Sequence, residues 1–274
     1  RGPSASLANP LVAEHQAGVQ RADAFWSIDS SSLGLVVDQG MARAVPEALR
    51  APVREPFSAD AWVPISGRIR TLPFNPQRVT AERLPDDIMA FADSDLKLGW
   101  APAYGAFQSF LTAMRLLEGE QRTREWLRGV KQRATSYAGE FGVVMAVERG
   151  EIDAGFANHY YLYRFLAEQG LSFRARNYHP RSGGPGALVM VAGVGLLNSS
   201  KSAEAARTFL DFALSRTAQS YFAEQTFEYP LVDDVPPHPL LQPLDQIDQP
   251  EITVKELLDV KGTQALLRDA GALL

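Results

Sequence analysis

Short apolar runs alternate with segments of helical periodicity along almost the whole chain, and that alternation limits the fold more than any other feature. Ala22–Ser27 (ADAFWS) has the look of a short buried strand, followed by the cap-forming run Asp29-Ser30-Ser31-Ser32 and a helix entering at Leu33. Arg68–Asn75 (RIRTLPFN) alternates like a strand, with Pro73 directing it to an edge or irregular position. Lys97–Ala103 (KLGWAPA) reads as another strand. A helix then begins near Gly105, with Phe107, Phe110, Leu111, Met114 and Leu117 on one face. A second helix, QRTREWLRGVKQ, follows. GVVMAVERGEIDAGFAN reads as helix, glycine turn and a strand up to Asn158, and YLYRFLAEQG as a helix ended by Gly170. An apolar strand over Val191–Leu197 precedes helices around SAEAARTFLDFALS and TAQSYFAEQ. A Pro-rich extended stretch, YPLVDDVPPHPLLQPLDQ, leads to a last helix, TQALLRDAGALL. The pattern predicts an α/β fold with largely parallel sheets.

At 274 residues the chain is long enough for two domains, and 46% hydrophobic with 22% charged residues suits a globular core. The net charge of −5, with basic residues scattered among acids, argues against nucleic acid as a partner. The absence of cysteine removes disulfides, thiolate metal sites and thiol nucleophiles. The longest apolar run, Ala187–Leu197, is too short for a bilayer span of ~20 residues. No signal peptide stands behind Arg1-Gly-Pro-Ser, as expected of a processed or trimmed chain. The serine-nucleophile elbow, the phosphate-binding loop and the zinc helix motif are all missing. GVGLLN lacks the third glycine of a dinucleotide site, and RSGGPG is not followed by a helix start. His15, His159, His179 and His238 lie far apart and read as surface or turn residues rather than metal ligands. These absences argue against an enzyme.

One stretch stands out: DAGFANHYYLYR, with Tyr160 and Tyr161 adjacent after Asn158-His159. Packing in a core is one reading of the pair, and the reading preferred for Tyr137 and Tyr163. Neighbouring residues of a strand face opposite sides, however, so one core does not easily take both. A turn at a strand end brings both hydroxyls to one cleft. Tyr104 sits at a second strand-to-helix junction, just before Gly105, and ligand sites of open α/β sheets gather at such strand ends. Phenols ionise near pH ~10, and a hard trivalent cation lowers the pKa of the groups that bind it. Three phenolates balance the charge of Fe3+, whereas Ca2+ or Mg2+ favours carboxylates and carbonyls and Zn2+ favours His or Cys. The free N–H groups of Gly105 and Ala106, at a helix start, form an anion site that the guanidinium of Arg68 can join. Carbonate or another small anion would then complete the coordination.

ADAFWSIDSSSLG, ISGRIR, LGWAPAYGAFQSF, GEIDAGFANHYYLYR and the long segment from Gly186 through Pro230 resemble the bacterial periplasmic ferric-iron-binding proteins. The resemblance covers nearly the whole chain. It implies a two-lobed, transferrin-like periplasmic binding protein of type II, with a hinge and an interlobe cleft. It also implies that Tyr160 and Tyr161 are iron ligands, with Tyr104 marking the three-tyrosine type. Arg68 and Asn158 match positions around the metal or its anion, and Asp29 is expected behind the ligands. Ile28 stands where some members carry a carboxylate ligand, and Glu140 stands where an anion-binding Asn is expected.

The resemblance further implies a first lobe of residues 1–66 and 192–240, lacking the family's opening strand and helix. The second lobe is expected over 67–191 and 241–274, with crossings near Pro64–Gly67, Val191–Ala192 and Leu240. The implied function is high-affinity capture of ferric ion and delivery to the membrane permease of an ABC transporter, without catalysis. The location is periplasmic, or extracytoplasmic on a lipid anchor. The expected state is a monomer, with lobe swapping open to a chain short of its first segment. The alternative is the same scaffold holding a small anion or organic ligand.

Overall fold

A computed structural model describes residues 2, 4–19, 21–253 and 255–273. In chain order its first elements are α1 (Ser4–Gln16), β1 (Ala24–Ser27), α2 (Ser30–Asp38), α3 (Glu47–Arg50), β2 (Val63–Phe74) and β3 (Leu98–Trp100). Next come α4 (Gly105–Glu118), α5 (Glu120–Lys131), β4 (Ala134–Ser136), α6 (Glu140–Glu148), β5 (Ala154–Gly155), β6 (Ala157–Asn158) and α7 (Tyr160–Gln169). The last are β7 (Arg176–Tyr178), β8 (Val189–Leu196), α8 (Ala203–Ala213), α9 (Arg216–Thr226), β9 (Tyr229–Pro230) and α10 (Val260–Asp269). The chain forms two compact units, one of Arg1–Gly67, Met190–Leu241 and Ile252–Val260, the other of Arg68–Val189, Gln242–Glu251 and Lys261–Leu274.

In the first unit β1 runs antiparallel to β8, from Ala24 opposite Leu196 to Ser27 opposite Gly193. The beginning of β2 pairs with β9 through Ser66–Pro230 and Gly67–Tyr229. Asp29, in an extended conformation, ends the β1 loop and starts α2: its Oδ1 accepts from the Ser32 N–H and the Ser31 hydroxyl, both at 2.7 Å. Leu33 and Val36 are then buried from the same helix. α1 precedes β1, where the sequence pattern placed no element. Pro10 inside it interrupts the helical signature.

Residues 252–260 also pack with the first unit, although the expectation put all of 241–274 with the second. Gly34 explains the docking. A Cβ there would lie 2.4 Å from the carbonyl oxygen of Leu258, so only glycine lets this backbone lie against α2.

The second unit is built on the rest of β2. It pairs antiparallel with β6 (Arg70–Asn158, Thr71–Ala157), β5 (Phe74–Ala154) and β7 (Leu72–Tyr178 through Phe74–Arg176). Among the pairings whose register is described, β3 makes the parallel ones, with β4 and β5. The largely parallel sheet expected from the alternation is therefore corrected: among the described pairings, parallel strands occur only where helices provide the crossovers. These are α4 and α5 from β3 to β4, and α6 from β4 to β5.

Pro73 is not at an edge, because all of β2 is buried. It falls where the β5–β6 partner is interrupted, between the Thr71–Ala157 and Phe74–Ala154 pairs, so its missing N–H breaks no ladder bond on that side. Trp100, Phe107, Phe110, Trp126 and Phe156 pack at tilted and edge-on angles, with centroids 5.2–6.1 Å apart, and form the core beneath α4. Gly155 lets β5 approach α6, since a Cβ there would lie 2.3 Å from Cγ1 of Val143. Among the described residues, no helix is long and apolar enough to cross a membrane.

Candidate metal centre

Two strand-to-helix junctions of the second unit bring the three tyrosines together. After β3 the chain turns through an Ala101 carbonyl to Tyr104 N–H bond of 3.0 Å, and Tyr104 becomes the residue before α4. Its extended backbone sets the helix entry, but its side chain does not cap the helix. The phenol is left to point elsewhere.

The second junction is held from behind. His159 is buried and exchanges two bonds with Ile69 of β2: its N–H donates to the Ile69 carbonyl, and its Nδ1 accepts from the Ile69 N–H, both at 3.1 Å. Its imidazole is therefore a buried anchor with the proton on Nε2: the residue sits at a turn, one of the two places the sequence suggested, but not at the surface. Asn177 Nδ2 donates to the His159 carbonyl at 3.0 Å. α7 starts at the next residue, so Tyr160 and Tyr161 are its first two positions. Helical rather than strand geometry lets the neighbours converge, with ring centroids 4.5 Å apart and a tilt of 39°. Gly170, at φ 66°, ends α7 as expected.

The hydroxyls of Tyr104 and Tyr161 meet at 3.1 Å. Tyr160 is buried, with the Arg164 guanidinium 4.5 Å and the Arg68 guanidinium 5.8 Å from its ring centroid. Burial pushes the Tyr104 and Tyr161 phenols well above their ordinary pKa, and the neighbouring Tyr160 and Glu140 add to the shift. Without a cation both phenols are neutral. A cation that binds them must displace their protons.

Behind the tyrosines lies a buried ion pair. Arg70 Nη1 reaches Glu140 Oε1 at 2.5 Å, and neither side chain has any exposure. Glu140 Oε2 accepts from the Asn158 N–H at 2.8 Å, and Arg70 Nη2 donates to the Ala106 carbonyl at 3.0 Å. The pair thus ties together the starts of α4 and α6 and the end of β6, which carry or flank the tyrosines. Arg70 also lies over the Phe110 and Phe107 rings, at 5.2 and 5.8 Å.

Of the residues expected at the site, Tyr104, Tyr160, Tyr161, Arg68, Gly105, Ala106, Asn158 and Glu140 all belong to the second unit. Arg68 is buried in β2, Gly105 and Ala106 open α4, and the side-chain amide of Asn158 is buried without a hydrogen-bond partner. Asp29 belongs to the first unit, where its carboxylate is a helix cap. Tyr137 packs against the Val143–Val147 cluster, and Tyr163 is half-buried. Sequence reasoning missed Arg70 and Arg164. A signal existed for each: Arg70 is two positions beyond Arg68 and shares its strand face, and Arg164 is one helical turn beyond Tyr160. Among the described residues no group of three or more His, Asp or Glu side chains forms a metal cluster, so the hard donors gathered here are phenols.

Residues 1–228 match the family described as bacterial extracellular solute-binding proteins. The Fe(3+)-binding periplasmic protein of Serratia marcescens is 30% identical over 278 aligned positions, covering 99% of this chain and 81% of that protein. The major ferric iron-binding protein of Neisseria meningitidis serogroup B is 32% identical over 213 positions, covering 77% of this chain and 64% of that protein. Among solved structures, iron-bound HitA from Pseudomonas aeruginosa superposes with a TM-score of 0.92 at 30% identity, over 98% of this chain and 89% of that one.

Proposed function

Since the chain belongs to the bacterial extracellular solute-binding protein family, whose members bind rather than transform their ligands, we propose that it captures ferric ion through Tyr104, Tyr160 and Tyr161. The observation that carries this reading is the 3.1 Å approach of the Tyr104 and Tyr161 hydroxyls beside the Tyr160 ring. Two half-buried phenols from separate helix starts converge only at a cost in desolvation, and a trivalent cation offsets it. Three phenolates neutralise the charge of Fe3+, and two guanidiniums, of Arg164 and Arg68, lie over the Tyr160 ring. The relatives that bind ferric iron support the same cargo.

In this reading the protein works outside the cytoplasm and hands its ion to the membrane permease of an ABC transporter. Loading with ferric citrate, followed by metal analysis and a visible spectrum, tests it. One iron per chain and a red-to-orange phenolate band are expected, and the band should bleach on reduction. A colourless protein that takes up no iron would instead favour a small organic or phosphate-bearing ligand; a solved relative of the same fold, at 16% identity and TM-score 0.82, holds fructose-6-phosphate.

A further inference from the structure

In the first unit, and sharing no residue with the metal centre, a cavity of about 420 Å³ opens between α3, the end of β8 and the start of α8. That size falls within the roughly 300–1,000 Å³ of small-molecule sites. Its walls are fixed. The Arg43 N–H donates to the Leu196 carbonyl at 2.7 Å and the Asn198 N–H to the Met41 carbonyl at 2.8 Å, which fastens the segment leading to α3 against the end of β8. Asp23 Oδ1 accepts from the Ser200 hydroxyl at 2.8 Å and from the Lys201 and Ser202 N–H groups at 3.0 Å, so the loop into α8 is held as well. Pro46, Leu49, Leu196, Leu197 and Ala203 give the cavity an apolar lining. Ala203, the first residue of α8, carries too short a side chain to fill the space.

The charged groups that line the same cavity do not cancel. Arg43 and Arg207 bring two guanidiniums, and Glu204 one carboxylate. Arg43 donates only a long bond, 3.4 Å, to the Asn198 carbonyl. Among the described residues Arg207 forms no ion pair, not even with Glu204 one turn before it on α8. An apolar floor beside unanswered positive charge fits a molecule with an apolar body and one carboxylate. Burial of the body supplies affinity, and a guanidinium takes a carboxylate through two parallel N–H bonds. We propose that this cavity binds a small free carboxylate with an aliphatic tail, as a second ligand taken independently of the metal.

The test titrates octanoate calorimetrically into the whole chain, stripped of lipid beforehand, with acetate and octanol as controls. Octanoate should bind once per chain, at least about 100-fold tighter than acetate, which has no tail to bury. It should also bind about tenfold tighter than octanol, which has the tail without the charge. Ala203→Trp fills the cavity and should weaken octanoate at least about tenfold. The double variant Arg43→Gln/Arg207→Gln should bring octanoate down to the level of octanol and leave octanol unchanged. Neither variant should alter ferric loading, so the cavity and the iron reading stand or fall separately. Thermal melts confirm that the variants are folded.

No octanoate binding, or binding that Ala203→Trp leaves unchanged, overturns the inference. Octanol bound as tightly as octanoate overturns it as well, because the guanidiniums would then play no part. A dimer in light scattering that Ala203→Trp dissociates would give the cavity to a second copy of the chain and overturn it too. If the tryptophan variant does not fold, the glutamine pair with octanoate and octanol decides.

Discussion

The start of α2 and the starts of α4 and α7 are built from the same local grammar, a short strand leading into a helix, and they end in opposite ways. At α2 the residue before the helix, Asp29, turns its carboxylate back onto the Ser32 N–H and the Ser31 hydroxyl. That junction is closed, with its polar side chain satisfied by its own helix. At α4 and α7 the residues before the helix are Tyr104 and His159, and neither side chain caps. Stabilisation comes from elsewhere: the Arg70–Glu140 pair reaches behind both junctions, and Ile69 grips His159. A junction supported from behind can leave its front to other chemistry, here the contact between the phenols of Tyr104 and Tyr161.

The sharpest way to break this contrast is to remove the phenols. Tyr160→Phe and Tyr161→Phe should each weaken ferric binding by more than about 1,000-fold, roughly ten times what loss of a supporting residue costs, while the apo melting temperature changes little. Chelator competition gives the affinity. Unchanged binding in both variants would make the open junction a packing device. Tyr104→Phe should lower the intensity of the visible band and weaken binding less. An unaltered spectrum would return that ring to the core.

The support behind the junctions should respond differently. Arg70→Met leaves Glu140 as a buried charge without its guanidinium and should cost about 3–5 kcal/mol of apo stability, measured by denaturant unfolding. A loss below about 1 kcal/mol, the scale of a surface pair, would show that the network does not hold the starts of α4 and α6 in place. At the closed junction the loss is smaller and purely structural. Asp29→Ala should cost about 1 kcal/mol, Asp29→Asn only a few tenths, and neither should move the ferric band. A band shift in Asp29→Ala would give this carboxylate the role behind the ligands that the family resemblance implies.

How legible each junction was follows from where its partners lie. Asp29-Ser-Ser-Ser announces a cap because donor and acceptor are three residues apart. Gly170 announces a helix end, and the apolar run of β8 a buried strand, for similarly local reasons. The tyrosine pair was legible as an anomaly, two phenols where one core does not easily take both. The pairing that brings Tyr104 to Tyr161 spans 57 residues, and Arg70 to Glu140 spans 70. Nothing local encodes either distance. The burial of His159, the antiparallel pairs of β2 and the return of residues 252–260 to α2 are long-range in the same way. Each depends on a backbone partner that a window of ten residues does not contain.

The smallest expected effect separates the two junction types by pH alone. In the apo protein Tyr104 and Tyr161 keep their protons above the ordinary phenol pKa of 10.0, because both are raised by burial. The unfolded chain releases those protons near pH ~10. Above that point the native state binds more protons than the unfolded one, so stability falls as pH rises, by about 0.4 kcal/mol per phenol at pH ~10 and more beyond it. Other buried tyrosines add to the same slope; Tyr178, for one, is pushed up to about 12. The quantity to measure is therefore the difference between wild type and a Tyr104→Phe/Tyr161→Phe double variant, whose alkaline loss should be shallower. Iron reverses the sign. In the loaded protein the phenols are deprotonated in the native state while the unfolded chain is still protonated, so stability should rise with pH between about 6 and 8, and acid should release the ion. An Asp29→Ala variant should follow wild type in both regimes, since its junction holds no phenol. A loaded protein with no gain across that range would mean that protons and iron do not compete for the same oxygens, and the open junctions would then be no different in kind from the closed one.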